Sequence, residues 1–119
     1  MVFEMVKVAV KALDNKKAED IRVLKIDDIT SLADYFVICT GTSNTHIKAL
    51  ADECEYQLGQ AGYDILHREG RDSGEWILLD YKDIIVHVYN KQTREFYDLE
   101  HFWKDGAQID ITEILGDEK

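Results

Sequence analysis

Apolar residues fall at Val2, Met5, Val6, Ala9 and Leu13, the three-and-four spacing of a helix with one buried stripe. Polar residues take over at Asp14 to Lys17, where that helix is expected to end. From Ile21 to Ile26 the pattern suits a short strand, and Asp27, Asp28 and Thr30 then form a turn. Asp34 to Gly41, DYFVICTG, is apolar almost throughout, which in a strand means burial on both faces, as in the middle of a sheet. Gly41 and Thr42 break it, and Ser43 stands where a hydroxyl caps the next helix. That helix is expected from Asn44 to Gln60, with Ile47, Leu50, Ala51, Cys54 and Leu58 on one stripe and Gly62 as its stop.

A third strand is expected over Tyr63 to His67, followed by a polar, glycine-rich loop at Glu69 to Gly74. Trp76 to Asp80 and Ile84 to Tyr89 read as a hairpin turned at Tyr81 and Lys82. Gln108 to Ile114 is a weaker strand because acids interrupt it. Helices mixed with hairpin and crossover connections give an α/β (α+β) fold: one two-layer domain over residues 1–119, a mixed β-sheet flanked by helices. A chain of 119 residues is long enough to bury a real core, and 45% hydrophobic with 32% charged residues are globular values.

Charge narrows the choice of partner. With 24 acidic against 14 basic residues the net charge is -10, the wrong sign for gripping phosphate backbones, so direct DNA binding is not expected. It suits steering toward a basic protein, although solubility alone explains it equally well. No apolar run is long enough to span a bilayer, and Glu4, Lys7 and Lys11 interrupt what would be the core of a secretory signal. A cytoplasmic protein is the expectation. Cys39 and Cys54, the only cysteines, lie in an apolar strand and on an apolar helix face and read as small buried hydrophobes.

Catalytic chemistry finds little support. Strand, Gly41-Thr42-Ser43 and helix in that order invite a phosphate site, but there is no GxxxxGK[ST], no GxGxxG and no lysine placed on a phosphate. Asp27 and Asp28 are adjacent and would point to opposite faces of a strand, while Asp80 and Asp83 flank a turn. The histidines, His46, His67, His87 and His101, are dispersed, with no HExxH or HxH, so a metal site is not expected. His87 reads as hydrogen-bonded within the fold. Arg94, with Glu95 and Glu100, reads as an ordinary surface ion pair. An enzyme is the weaker hypothesis and a binding module the stronger; the alternative is a degenerate nucleotide-binding protein using the Thr40 to Asn44 turn.

The hairpin and the segment after it hold more aromatic and acidic residues than a core requires. Trp76, Leu78 and Asp80 share one strand face, and Arg94, Tyr97, Leu99, Glu100 and Trp103 follow in a short segment that would pack beside it. Large aromatics beside carboxylates are the material of a binding patch. On the residues alone, both tryptophans as plain core remains the commoner arrangement.

Three stretches carry a resemblance. They are KKAEDI at Lys16 to Ile21, TSLADYFVICTGTSNTHIKALAD at Thr30 to Asp52, and HREGRDSGEWILLDYKDIIVHVYNKQTREFYDLEHFW at His67 to Trp103. Together they resemble the Iojap family, the ribosomal silencing factors, over most of the chain beyond the first helix. The resemblance implies a nucleotidyltransferase-like fold without catalytic carboxylates, and no cofactor. It implies a factor that docks on the large ribosomal subunit through ribosomal protein L-fourteen, blocks subunit joining and represses translation under nutrient limitation. The implied contact surface is Trp76, Leu78, Asp80, Tyr97, Leu99, Glu100 and Trp103, with a weak homodimer on the same face. Lys82, where the family often has glycine, His46, where it often has glutamine, and Phe102, where it often has leucine, depart from the family pattern.

Overall fold

The structure, a computed structural model, describes residues 2–27, 31, 33–70, 75–97, 107–109, 111 and 114, with the backbone alone at 96, 97, 107 and 108. Helix α1, Val2–Asn15, buries Met5, Val6, Ala9, Val10, Ala12 and Leu13. It ends where Lys17 takes a left-handed φ of 63° and the Ala18 N–H reaches back to the Leu13 carbonyl at 3.0 Å. Strand β1, Glu19–Lys25, leads to β2, Tyr35–Thr40, which is buried from Phe36 onward. Helix α2, Asn44–Gln60, buries the expected stripe of Ile47, Leu50, Ala51, Cys54 and Leu58. The Ser43 hydroxyl caps it by accepting from the His46 N–H. At its other end Gly62, at φ 94°, and Tyr63 return hydrogen bonds to Gly59 and Leu58, closing the last turn.

Strands β3, His67–Glu69, β4, Trp76–Asp80, and β5, Ile84–Tyr89, then helix α3, Lys91–Tyr97, and strand β6, Ala107–Ile109, complete the described elements. Among the described residues the sheet has six strands in the order β3-β4-β5-β2-β1-β6. Among the described pairings β2 and β5 run parallel and the others are antiparallel. The fold is therefore the expected α/β architecture with a mixed sheet, and β2 lies inside it. Helices α1 and α2 cover one face, where Val6, Val10, Leu13, Leu50 and Leu58 meet Val23, Val37, Cys39, Ile77, Leu79, Val86 and Val88. Leu24, Ile26, Phe36, Ile38, Ile85 and Tyr89 form a second buried cluster, with Trp76 and Leu78 partly buried against it.

The third strand begins later than the sequence suggests, at His67 and not at Tyr63. Tyr63 spends its N–H on the end of α2, and the segment reaches the sheet only when the Leu66 N–H bonds the Asp80 carbonyl at 2.9 Å. Glu69, expected in the loop, is paired with Leu78 in this edge strand. Edge position relieves β3 of any need for apolar residues, and Arg68 fixes it to α2 through Glu55 at 2.7 Å and Asp52 at 2.9 Å. Strand β6 is shorter than the expected span from Gln108 to Ile114: it ends at Ile109, Ile111 lies in a turn and Ile114 is helical. Its partner β1 changes register between Glu19 and Arg22, just beyond Val23, the partner of Ile109, so the ladder has no straight continuation.

Candidate functional face

Alternation along β4 divides its side chains between the two layers. Ile77 and Leu79 are fully buried in the cluster beneath the helices, while Trp76, Leu78 and Asp80 point to the other face and are partly buried. The register sets Trp76 opposite Tyr89, Leu78 opposite His87 and Asp80 opposite Ile85. Across these pairs the indole of Trp76 lies 5.6 Å from the Tyr89 ring and 5.8 Å from the His87 ring, and Phe36 meets His87 edge-on at 5.0 Å. Tilted and edge-on arrangements of this kind are the favourable ones for aromatic pairs. The indole Nε1–H donates to His87 Nδ1 at 3.2 Å. Trp76 thus has a polar tip satisfied inside the fold and a body only partly covered, so it is neither plain core nor a free surface ring.

His87 is 4% exposed and, as expected, is hydrogen-bonded within the fold. Burial drives its pKa down to about 4, so the ring is neutral. With Nδ1 accepting from Trp76, the proton is assigned to Nε2, which has no hydrogen-bond partner among the described residues.

The backbone around β4 is held by special positions. Gly70 has φ 84°, and a Cβ there would collide with the carbonyl oxygen of Trp76. Only glycine lets the end of β3 pass so close to the start of β4. At the other end Asp80 Oδ1 accepts from the Lys82 N–H at 2.8 Å, and Lys82 takes φ 73°, a conformation that favours glycine. The departure at position 82 therefore falls on a residue that bears backbone strain.

The second expected contact segment begins as α3, which sequence periodicity did not show because it spans only Lys91–Tyr97. Its start was nevertheless written in the chain: Asn90 Oδ1 accepts from the Thr93 N–H at 2.7 Å, an asparagine cap directly after a strand. Arg94 is buried and not on the surface, and its expected pairing with Glu100 lies outside the described residues. It is 6% exposed, its Nη1 donates to the Asp20 carbonyl and the Thr40 hydroxyl at 2.8 Å each, and its Nη2 lies 3.4 Å from Asp20 Oδ2. Glu95 is exposed and forms no part of this arrangement. Tyr97 closes the helix; its side chain, together with Leu99, Glu100 and Trp103, lies outside the described residues. The structure therefore brings Trp76, Leu78 and Asp80 onto one face and leaves their relation to the other expected contacts undescribed.

The turn at Gly41-Thr42-Ser43 is already occupied by the chain itself. His46 Nδ1 accepts from the Thr42 N–H at 2.9 Å, its Nε2 contacts the Lys16 carbonyl at 2.7 Å, and Ser43 takes the His46 N–H. An incoming phosphate would have to displace an imidazole from the Thr42 amide. Among the described residues no group of three or more His, Cys, Asp and Glu side chains is placed to hold a metal ion, and no helix is long and apolar enough to cross a membrane. Cys39 and Cys54 are free and buried, and burial pushes the Cys39 thiol up to about 12.

The chain matches known proteins over nearly all its length. The model of the family described as ribosomal silencing factor during starvation matches residues 2–119. The ribosomal silencing factor RsfS of Bacillus subtilis is 39% identical over 107 residues, covering 90% of this chain and 91% of that protein. Its counterpart from Chromobacterium violaceum is 42% identical over 100 residues, covering 84% and 82% respectively. A crystal structure of a Chromobacterium violaceum protein superposes with a TM-score of 0.86 at 40% identity and covers 87% of both chains. That family is one of silencing factors and not of enzymes, in keeping with the unsupported catalytic readings. With the family model matched from Val2 to the last residue, this chain belongs to the ribosomal silencing factor family.

Proposed function

We propose that this protein acts in the cytoplasm as a single-domain steric repressor of translation. It docks on the large ribosomal subunit through ribosomal protein L-fourteen and, by occupying that position, blocks joining of the small subunit when nutrients are limiting. Such an action needs no cofactor and no chemistry, only affinity and concentration.

The observation that carries this reading is the partly covered pair Trp76 and Leu78 beside Asp80, on the sheet face opposite α1 and α2. An aromatic and an aliphatic anchor that are incompletely buried supply the desolvated centre of an interface. The Asp80 oxygen not engaged by Lys82 would face a lysine or arginine of the partner, setting orientation and on-rate more than affinity. Tyr97, Leu99, Glu100 and Trp103 complete the proposed surface. A net charge of -10 favours encounter with a basic ribosomal protein. The same face would support a weak homodimer, in which case dimer and ribosome compete for Trp76.

Sedimentation with isolated large and small subunits tests the reading. The protein should pellet with large subunits alone, and Trp76→Ala and Glu100→Arg should abolish pelleting while leaving the fold intact. Failure of the unaltered protein to pellet at low and moderate salt would overturn it.

A further inference from the structure

Beyond the surface residues that would touch a partner, the geometry points to a residue that would not. We infer that His87 is a positioning residue for docking: its Nδ1 fixes the indole of Trp76 in the orientation that the partner reads. The inference rests on the proposed docking role of Trp76.

His87 sits on β5, on the same sheet face as the two proposed anchors. It stands opposite Leu78 in the ladder and diagonal to Trp76, whose ring lies 5.8 Å from its own. A partly covered indole has two ring flips and several rotamers open to it. The acceptor at 3.2 Å selects among them, because only one orientation of the ring delivers Nε1–H to His87 Nδ1. Tyr89 and Phe36 hold the imidazole in turn, at 6.4 Å and 5.0 Å between ring centroids. An anchor already held in its bound orientation loses less side-chain freedom on association, which is how preorganisation raises affinity.

A core role alone does not account for histidine at this position. The site is almost fully buried, Nε2 finds no partner among the described residues, and Ile85 fills the equivalent place two residues earlier. An aliphatic side chain would fill the space without burying a polar atom that no described residue satisfies. What histidine contributes is an acceptor, within reach of Trp76, on a ring that packs tilted or edge-on against its aromatic neighbours.

Three variants separate positioning from packing. His87→Leu keeps the volume and has no acceptor. His87→Asn sets a carbonyl oxygen near the place of Nδ1, whereas His87→Gln carries its polar group to the place of Nε2. Affinity for isolated large subunits is measured for each, with thermal unfolding as the folding control. Indole emission is read in a Trp103→Phe background so that Trp76 alone reports. The Leu and Gln variants should bind about tenfold more weakly or worse, with altered Trp76 emission, while Asn stays within about threefold of the unaltered protein. If Leu prevents folding, the contrast between Asn and Gln decides. Folded Leu and Gln variants that bind and emit like the unaltered protein, or an Asn variant as impaired as Gln, would overturn the inference. Absence of any binding by the unaltered protein would instead overturn the docking role, and the emission contrast would still decide whether His87 orients Trp76.

Discussion

Arg94 and Asp20, 74 positions apart in the chain, are joined by a hydrogen bond of 2.8 Å from the guanidinium Nη1 to the Asp20 carbonyl oxygen. Asp20 sits at φ 48°, in the register change of β1, and the same nitrogen also reaches the hydroxyl of Thr40 on β2. The guanidinium carbon lies 6.0 Å from the centre of the Tyr89 ring. One buried side chain therefore ties α3 to β1, β2 and β5, and the chain continues from α3 into the second proposed contact segment.

Removing that tie should be costly. Arg94→Ala leaves a strained carbonyl and a buried hydroxyl without their donor, and a loss of about 2–4 kcal/mol is expected in urea unfolding. The Asp20 carboxylate is half exposed and should add little to that loss. Arg94→Lys retains the charge without the planar fork and should recover only part of the loss.

Lys82 offers the opposite case, a residue whose replacement should help. At φ 73° it occupies backbone space that glycine enters freely. Lys82→Gly should raise stability by about 0.5–1 kcal/mol, and Lys82→Val should lower it by more than that. Thermal unfolding of both variants checks the sign. Equal effects of the two would show that the turn relaxes instead of bearing strain.

Acidification should destabilise the fold through His87. Its folded pKa of about 4 lies below the ordinary value of 6.5, so between those limits the unfolded chain binds a proton that the native chain refuses. Stability is complete above pH 6.5 and falls as pH drops toward 4, by about 2 kcal/mol at pH 5 and about 3 kcal/mol at pH 4. Urea midpoints at pH 7.5 and pH 5 measure the slope, and His87→Leu should reduce it by that amount.

Nucleotides should leave the protein unmoved. With His46 seated on the Thr42 amide, millimolar ATP or CTP with magnesium should not raise the melting temperature. A reproducible rise that disappears on mutation of Ser43 would restore the nucleotide-binding reading of the turn.

The two long helices, the buried strand β2 and the hairpin were legible because each has a strong period or an unmistakable stop. The α2 boundaries, from the Ser43 cap to the Gly62 stop, were readable from single residues with a backbone job. The third strand was misplaced because its position is set by Arg68 reaching Asp52 and Glu55, a contact between segments that no local pattern records. Arg94 misled for the same reason: a charged residue in an acidic stretch looks like surface until a distant carbonyl claims it. For the candidate face, alternation placed Trp76, Leu78 and Asp80 together correctly. The bond from Trp76 to His87 depends on strand register, which the sequence does not print.

Subunit joining tests the central claim most directly. Isolated large and small subunits are mixed at fixed magnesium, and light scattering follows joining as the protein is titrated in. Joining should fall in proportion to occupancy of the large subunit, and a folded Trp76→Ala variant should leave it unchanged. Joining that proceeds normally with large subunits saturated by the protein would contradict the account.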